Sequence, residues 1–179
     1  KSPEEVEVDE MADKLDSLMH IIFENLTVTA KAYRARSDGT VNPNAHSPRT
    51  LYEMIHPTFR SCILTTHRSK FVQFVVFVLC GLDEEFHADE NREDRFDHGG
   101  LYRDFVSDLL DLVLDPYRET VMRQRGACYL ASFVSRASYV CPETTCETIS
   151  ALLRFAEAYM DAFPTAASAR AALRVSGGG

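Results

Sequence analysis

The chain has 179 residues, 45% hydrophobic and 26% charged, with 27 Asp and Glu against 19 Lys and Arg and a formal net charge of −8. That is enough chain for one domain with a sizeable core or a short helical array, and the composition is not that of a disordered protein. The acidic balance argues against a general nucleic-acid coat while leaving room for a local basic patch. The longest apolar run, residues 71–82, falls short of the roughly 20 residues of a membrane span.

Taken in order, residues 1–10 are acidic and expected to be a disordered N-terminus. From Met11 the apolar positions Met11, Leu15, Leu18, Ile22 and Leu26 share one helical stripe, predicting a helix to about Arg36. Gly, Pro, Asn and Ser crowd residues 37–48, a loop signature. A second helix is predicted over 50–64, with Pro57 expected to kink or split it. The run 66–82 reads as a buried helix. Its β-branched residues would also suit a strand, but it is long for one and its neighbours are helical. Residues 84–100 are dense in charge and read as a loop. A strongly amphipathic helix follows over 101–115, with Leu101, Phe105, Leu109 and Leu112 or Val113 on one face. Pro116 ends it, a helix over 119–140 is next, and Pro142 ends that. A helix over 144–163 and an Ala-rich one to about Arg174 complete the chain, leaving 175–179 as a flexible tail.

The helices pair through short connections. First members start near residues 50, 101 and 144, close to the roughly 40–47-residue period of HEAT or armadillo repeats. The expected fold is all-α, a HEAT-like α-solenoid segment of six to seven helices in antiparallel pairs, forming one domain over 11–174. The chain lacks an initial Met and ends in Ser-Gly-Gly-Gly, which suggests a segment of something longer.

Residues 115–140 hold four arginines and two acids. On a helical wheel Arg123 falls among the apolar positions, while Arg125, Tyr129, Ser132 and Arg136 lie together on the other side. Small residues at Gly126, Ala127 and Ala137 would let a neighbouring helix approach closely. Arg118, Arg125, Tyr129, Ser132 and Arg136 are the candidate partner or DNA contacts. A DNA contact would be weak and independent of sequence, since no base-reading element accompanies it. Ser2 and Ser47, each followed by proline, are candidate phosphorylation sites that suit ordinary turns equally well.

Five cysteines are present. Cys62, Cys80 and Cys128 sit in apolar patterns and are expected to be buried, reduced and inert, so Cys80 or Cys128 paired with His67 is not expected to form a nucleophile. Cys141 and Cys146 have one loose zinc spacing but no second pair. No phosphate loop, nucleophile elbow or metalloprotease motif occurs. The chain is therefore expected to be no enzyme, with no catalytic residue, cofactor, metal or small-molecule substrate.

The stretch LLDLVLDPYRETVMRQRGACYLASF resembles a HEAT repeat, with Asp-Pro at the turn and Val-x-Arg opening the second helix. That resemblance implies a structural ion pair between Asp115 and Arg123. Four blocks in order, MADKLDSLMHIIFENL, THRSKFVQFVVFVLCGLDEEF, VMRQRGACYLASFVSRASYV and ISALLRFAEAYMD, further resemble the RNA polymerase I-specific transcription initiation factors of the TIF-IA type. The resemblance covers about 11–163. Arg125 and Gly126 depart from the small residues usual there, and members are several times longer. It implies a non-enzymatic scaffold, nuclear and nucleolar, that binds RNA polymerase I and bridges it to promoter-bound factors at ribosomal RNA genes. A generic α-solenoid adaptor or a weak DNA-binding helical module are the alternatives.

Overall fold

The computed structural model describes residues 3–34, 45–66, 71–88 and 100–162. Among them the protein is all-α, with no strand. Six α-helices occur in order: α1 Pro3–Arg34, α2 Pro48–Thr58, α3 Gln73–Ala88, α4 Leu101–Leu114, α5 Thr120–Arg136 and α6 Pro142–Ala162. The chain divides into two compact units, residues 1–139 with α1 to α5 and residues 140–179 with α6.

Several boundaries differ from expectation for local reasons. Helix α1 starts at Pro3, well before Met11; proline suits a first helical turn, where its missing N–H is not needed. Its buried face also differs. Met19, Leu26 and Ala30 are buried, while Met11 and Leu18 are exposed. Pro57 does split the second helix. Having no N–H to give to residue 53, it is followed by a π-helical turn over Phe59–Ile63, closed by the Leu64 N–H on the Phe59 carbonyl at 2.8 Å. Helix α3 runs on to Ala88, into the stretch read as a loop. The continuous apolar run it contains is helical because α3 packs against α1, α2 and α4, so several of its sides are buried at once. The Ala-rich helix expected after Pro164, and Ser2, lie outside the described residues.

Helix α4 matches the sequence pattern closely: Leu101, Phe105, Leu109, Leu112 and Val113 are all buried. Its N-terminus is held from another helix. Gly100 supplies no capping side chain, and the Leu101 N–H donates to Asp83 Oδ2 on α3 at 2.9 Å, a buried contact. A carboxylate there satisfies an otherwise unpaired N–H and meets the positive end of the helix dipole.

The core of the first unit is an aromatic cluster with one phenylalanine from each of four elements. Phe59 lies 5.4 Å from Phe105, Phe105 lies 4.9 Å from Phe133, and Phe133 lies 4.8 Å from Phe77, each edge-to-face. Edge-to-face rings gain quadrupole attraction beyond the burial of area. Cys80 is fully buried beside this cluster's helix, and burial pushes its thiol well above its ordinary value. Cys62 and Cys128 are exposed instead of buried, because each sits on a helix face that no described neighbour covers. In the second unit Pro142 opens α6, and the Thr144 N–H reaches Cys141 Sγ at 3.5 Å.

Candidate functional site

The site expected from sequence is the face of α5 and the turn that leads into it. Helix α4 ends at Asp115, whose two carboxylate oxygens hold the turn from both sides. Oδ1 accepts the Tyr117 N–H at 2.9 Å, and Oδ2 accepts from Arg118 Nε at 3.2 Å. Pro116 between them fixes its own φ. The result is a rigid turn that leaves the Tyr117 ring 95% exposed. Sequence reasoning missed Tyr117; the available signal was the Asp-Pro-aromatic order, since an Asx turn and a proline together aim the next side chain outward.

The close approach expected at Gly126 is present. A Cβ there would lie 3.0 Å from Leu112 Cδ2 and 3.3 Å from Val113 Cγ2, so α5 crosses α4 nearly backbone to side chain. Arg123, half-buried beside this crossing, donates from Nε to the Val113 carbonyl at 2.8 Å. That carbonyl belongs to the last turn of α4, where no intrahelical N–H is available. A cation there also faces the negative end of the α4 dipole. The structure thus brings Asp115 together with Arg118, and Arg123 together with the end of α4.

The candidate contact residues separate into two groups. Tyr129 is buried, and its hydroxyl donates to the Ile63 carbonyl at 3.3 Å while its ring lies 5.3 Å from Phe59. Arg125 donates from Nη1 to the Thr65 carbonyl. Both therefore turn toward the end of the π-helical turn, whose widened backbone leaves carbonyls to be satisfied by side chains. Arg118, Ser132 and Arg136 are not drawn inward in this way. Arg136 Nη1 donates to Ser132 Oγ at 2.8 Å, one turn back on the same exposed surface. Beside them lies an open groove of about 590 Å³ lined by Phe71, Phe74, Cys128, Ala131, Ser135 and Arg136 among others. Phe71 is half exposed at its edge.

Ser47 is the N-cap of α2. Its Oγ accepts the Thr50 N–H at 3.1 Å, with Pro48 at the first helical position. On the far side of α2, His56 stacks on Tyr52 at 4.8 Å between centroids, and its Nε2 lies 3.1 Å from Asp108 Oδ2. Burial lowers the His56 pKa below its ordinary value and Arg60 adds to this, while Asp108 opposes it.

The model of the family "RNA polymerase I specific transcription initiation factor RRN3" matches residues 1–174. The chain is similar to the RNA polymerase I-specific transcription initiation factor rrn3 of Schizosaccharomyces pombe, 24% identical over 152 residues, covering 85% of this chain and 21% of that protein. It is also similar to the RNA polymerase I-specific transcription initiation factor RRN3 of Mus musculus, 26% identical over 142 residues, covering 79% of this chain and 18% of that protein. The chain therefore spans about a fifth of the length of these relatives. No solved structure matches.

Proposed function

Because the chain belongs to the RNA polymerase I-specific transcription initiation factor RRN3 family, we propose that it is a scaffold segment for polymerase I initiation. In this reading it is a HEAT-like α-solenoid segment that binds RNA polymerase I and bridges it to promoter-bound initiation factors at ribosomal RNA genes, in the nucleus and nucleolus. It has no catalytic role. The observation that carries the reading is the family match across residues 1–174.

The contact surface we assign is Arg118, Ser132 and Arg136, extended by Tyr117. Tyrosine and arginine dominate the energetics of protein interfaces, most of all when held in place before binding, and the Asp115 turn holds Tyr117 and Arg118 in this way. Asp115, Arg118 and Arg123 serve as the structural wiring of the α4–α5 turn. Arg125 and Tyr129, expected from sequence among the contacts, serve this surface by fixing α5 against residues 63–65. A phosphate on Ser47 would sit at the N-terminus of α2, where the helix dipole favours negative charge.

Capture of RNA polymerase I from nuclear extract tests the reading. The immobilised chain should enrich polymerase I subunits over an unrelated HEAT-repeat domain, and a Tyr117→Ala, Arg118→Glu, Arg136→Glu variant should lose most of that enrichment. Equal recovery on both baits overturns it. The DNA-binding alternative predicts duplex binding that weakens steeply with salt and disappears in Arg118→Glu/Arg136→Glu. The withdrawal of Arg125 and Tyr129 toward the fold, together with the net charge of −8, supports the protein-binding reading over it.

A further inference from the structure

Arg136 differs from the other three arginines of residues 115–140 in what the fold gives it. Arg118 meets Asp115, Arg123 the Val113 carbonyl and Arg125 the Thr65 carbonyl. Arg136 reaches back only to Ser132, donating from Nη1 to its Oγ at 2.8 Å and to its carbonyl at 3.4 Å. Among the described residues no carboxylate pairs with it, in a chain of net charge −8. Tying down Nη1 leaves the Nε and Nη2 donors without an acceptor among the described residues. That edge of a guanidinium is a two-donor fork that takes a carboxylate bidentately.

The same arginine lines the open groove of about 590 Å³ between the start of α3 and α5, and among the described residues it is the groove's one charged side chain. The groove's two rings are set in place. The Phe74 N–H donates to the Phe71 carbonyl at 3.0 Å where the chain enters α3. The Phe74 ring meets Phe77 edge to face at 5.3 Å, and Phe77 in turn lies 4.8 Å from Phe133 in the core. Phe71 stays half exposed. A second groove, of about 890 Å³, shares Phe74 and Arg136 and extends between α3 and α1 past Val78 and Leu82. The acids lining it, Glu84 and Glu85, sit roughly 15 Å along α3 from Phe74, so they do not compete for Arg136.

A fork that lacks its carboxylate and two rings with an uncovered edge call for one kind of occupant: an acidic segment of a partner protein with aromatic or leucine side chains. Gln73, the first residue of α3, also lines the groove, so the positive end of the α3 dipole adds to the charge of Arg136. A small molecule fits less well, because its sites bury most of the ligand and this groove is open along Phe71. A nucleic acid fits less well too, because it is held by many phosphate contacts and the groove offers one cation. Arginine and aromatic side chains fixed before binding are those that carry protein interfaces.

We propose that the groove between α3 and α5 is a docking site for an acidic, aromatic-bearing segment of a partner protein, with Arg136 taking a carboxylate and Phe71 and Phe74 taking the apolar anchor. The proposal deepens the polymerase reading, whose contact surface includes Ser132 and Arg136, and it rests on that reading for the identity of the partner.

Fluorescence anisotropy of the 179-residue chain with a labelled peptide of the order Asp-Glu-Phe-Asp-Asp-Leu-Phe tests it. The peptide should bind, and Arg136→Ala and Phe71→Ala should each weaken binding roughly tenfold with the thermal transition unchanged. Arg154→Ala, which removes an exposed cation of α6, should bind as the parent does. Peptides with serine in place of Phe and Leu, or lysine in place of the acids, should bind roughly tenfold more weakly or worse. Cys128 lines the groove, whereas Cys62 and Cys146 are exposed outside it. Bound peptide should therefore slow iodoacetamide alkylation of the parent chain at Cys128 and leave Cys62 and Cys146 unchanged. Absence of peptide binding, binding indifferent to Arg136→Ala and Phe71→Ala, equal slowing at all three cysteines, or tighter binding of a labelled oligothymidylate than of the peptide each overturns the proposal. Polymerase capture reports separately. A chain that enriches polymerase I without binding the peptide sinks the groove and spares the polymerase reading, and peptide binding without capture does the reverse.

Discussion

Four arginines within one basic stretch have different roles once their partners are known. Arg123 reaches the carbonyl of Val113 and Arg136 reaches a serine on its own exposed turn. Removing the first leaves a half-buried helix end without a charged donor; removing the second leaves a solvated hydroxyl. Arg123→Ala should therefore lower unfolding free energy in urea by about 1.5–3 kcal/mol, and Arg136→Ala by less than about 0.5 kcal/mol. Equal effects would mean that the Val113 contact is energetically idle. His56 gives a second test at this scale. Its pKa in the folded chain is lowered, first by burial, so the unfolded chain takes up its proton more readily. The neutral ring's contribution is complete above the unfolded value of about 6.5 and is lost as pH falls below it toward the folded value. The melting temperature should drop between about pH 7 and pH 5. His56→Phe, which keeps the stack on Tyr52, should flatten that part of the curve.

Elements here are stabilised at their ends by residues from other elements. Helix α4 is capped at its start by Asp83 of α3 and at its finish by Arg123 of α5. The π-helical turn after α2 is met by Tyr129 and Arg125 of α5. A helix whose caps come from its neighbours cannot keep its boundary when a neighbour moves. Asp83→Ala should cost about 1–2 kcal/mol as a lost N-cap, with added cost because the site is buried. Amide exchange should rise first at Leu101 and the adjacent turn of α4. Uniform acceleration over α1 to α5 with no local excess at α4 would count against a capping role.

At the scale of the first compact unit, the edge-to-face ring cluster of Phe59, Phe77, Phe105 and Phe133 joins α3, α4, α5 and the π-helical turn. Phe105 is fully buried and meets the rings of Phe59, Phe77, Phe133 and His56. Phe105→Ala should cost about 3–5 kcal/mol and reduce cooperativity in thermal unfolding, whereas Tyr117→Ala, at a fully solvated ring, should leave the transition within about 0.5 kcal/mol of the parent. The contrast separates a ring packed in the core from one exposed at the surface.

The sequence by itself determined the all-α class, the end of α4 before Pro116, the splitting after Pro57 and the buried face of α4, whereas α5 ends at Arg136 and Pro142 opens α6 where it was expected to end the helix before it. Each rests on chemistry local to a few residues: a missing N–H, a fixed φ, or an apolar period matched to the helix. The proposed contact face was only half legible. Ser132 and Arg136 lie where a wheel puts them, but Arg125 and Tyr129 lean toward carbonyls 60 and 66 residues away in the chain, a distance no periodicity encodes. Helix α1 shows the same limit from the other side. Two apolar stripes compete on one helix, and which of them is buried depends on where α3 packs, so only the tertiary structure could show that Met11 and Leu18 face solvent.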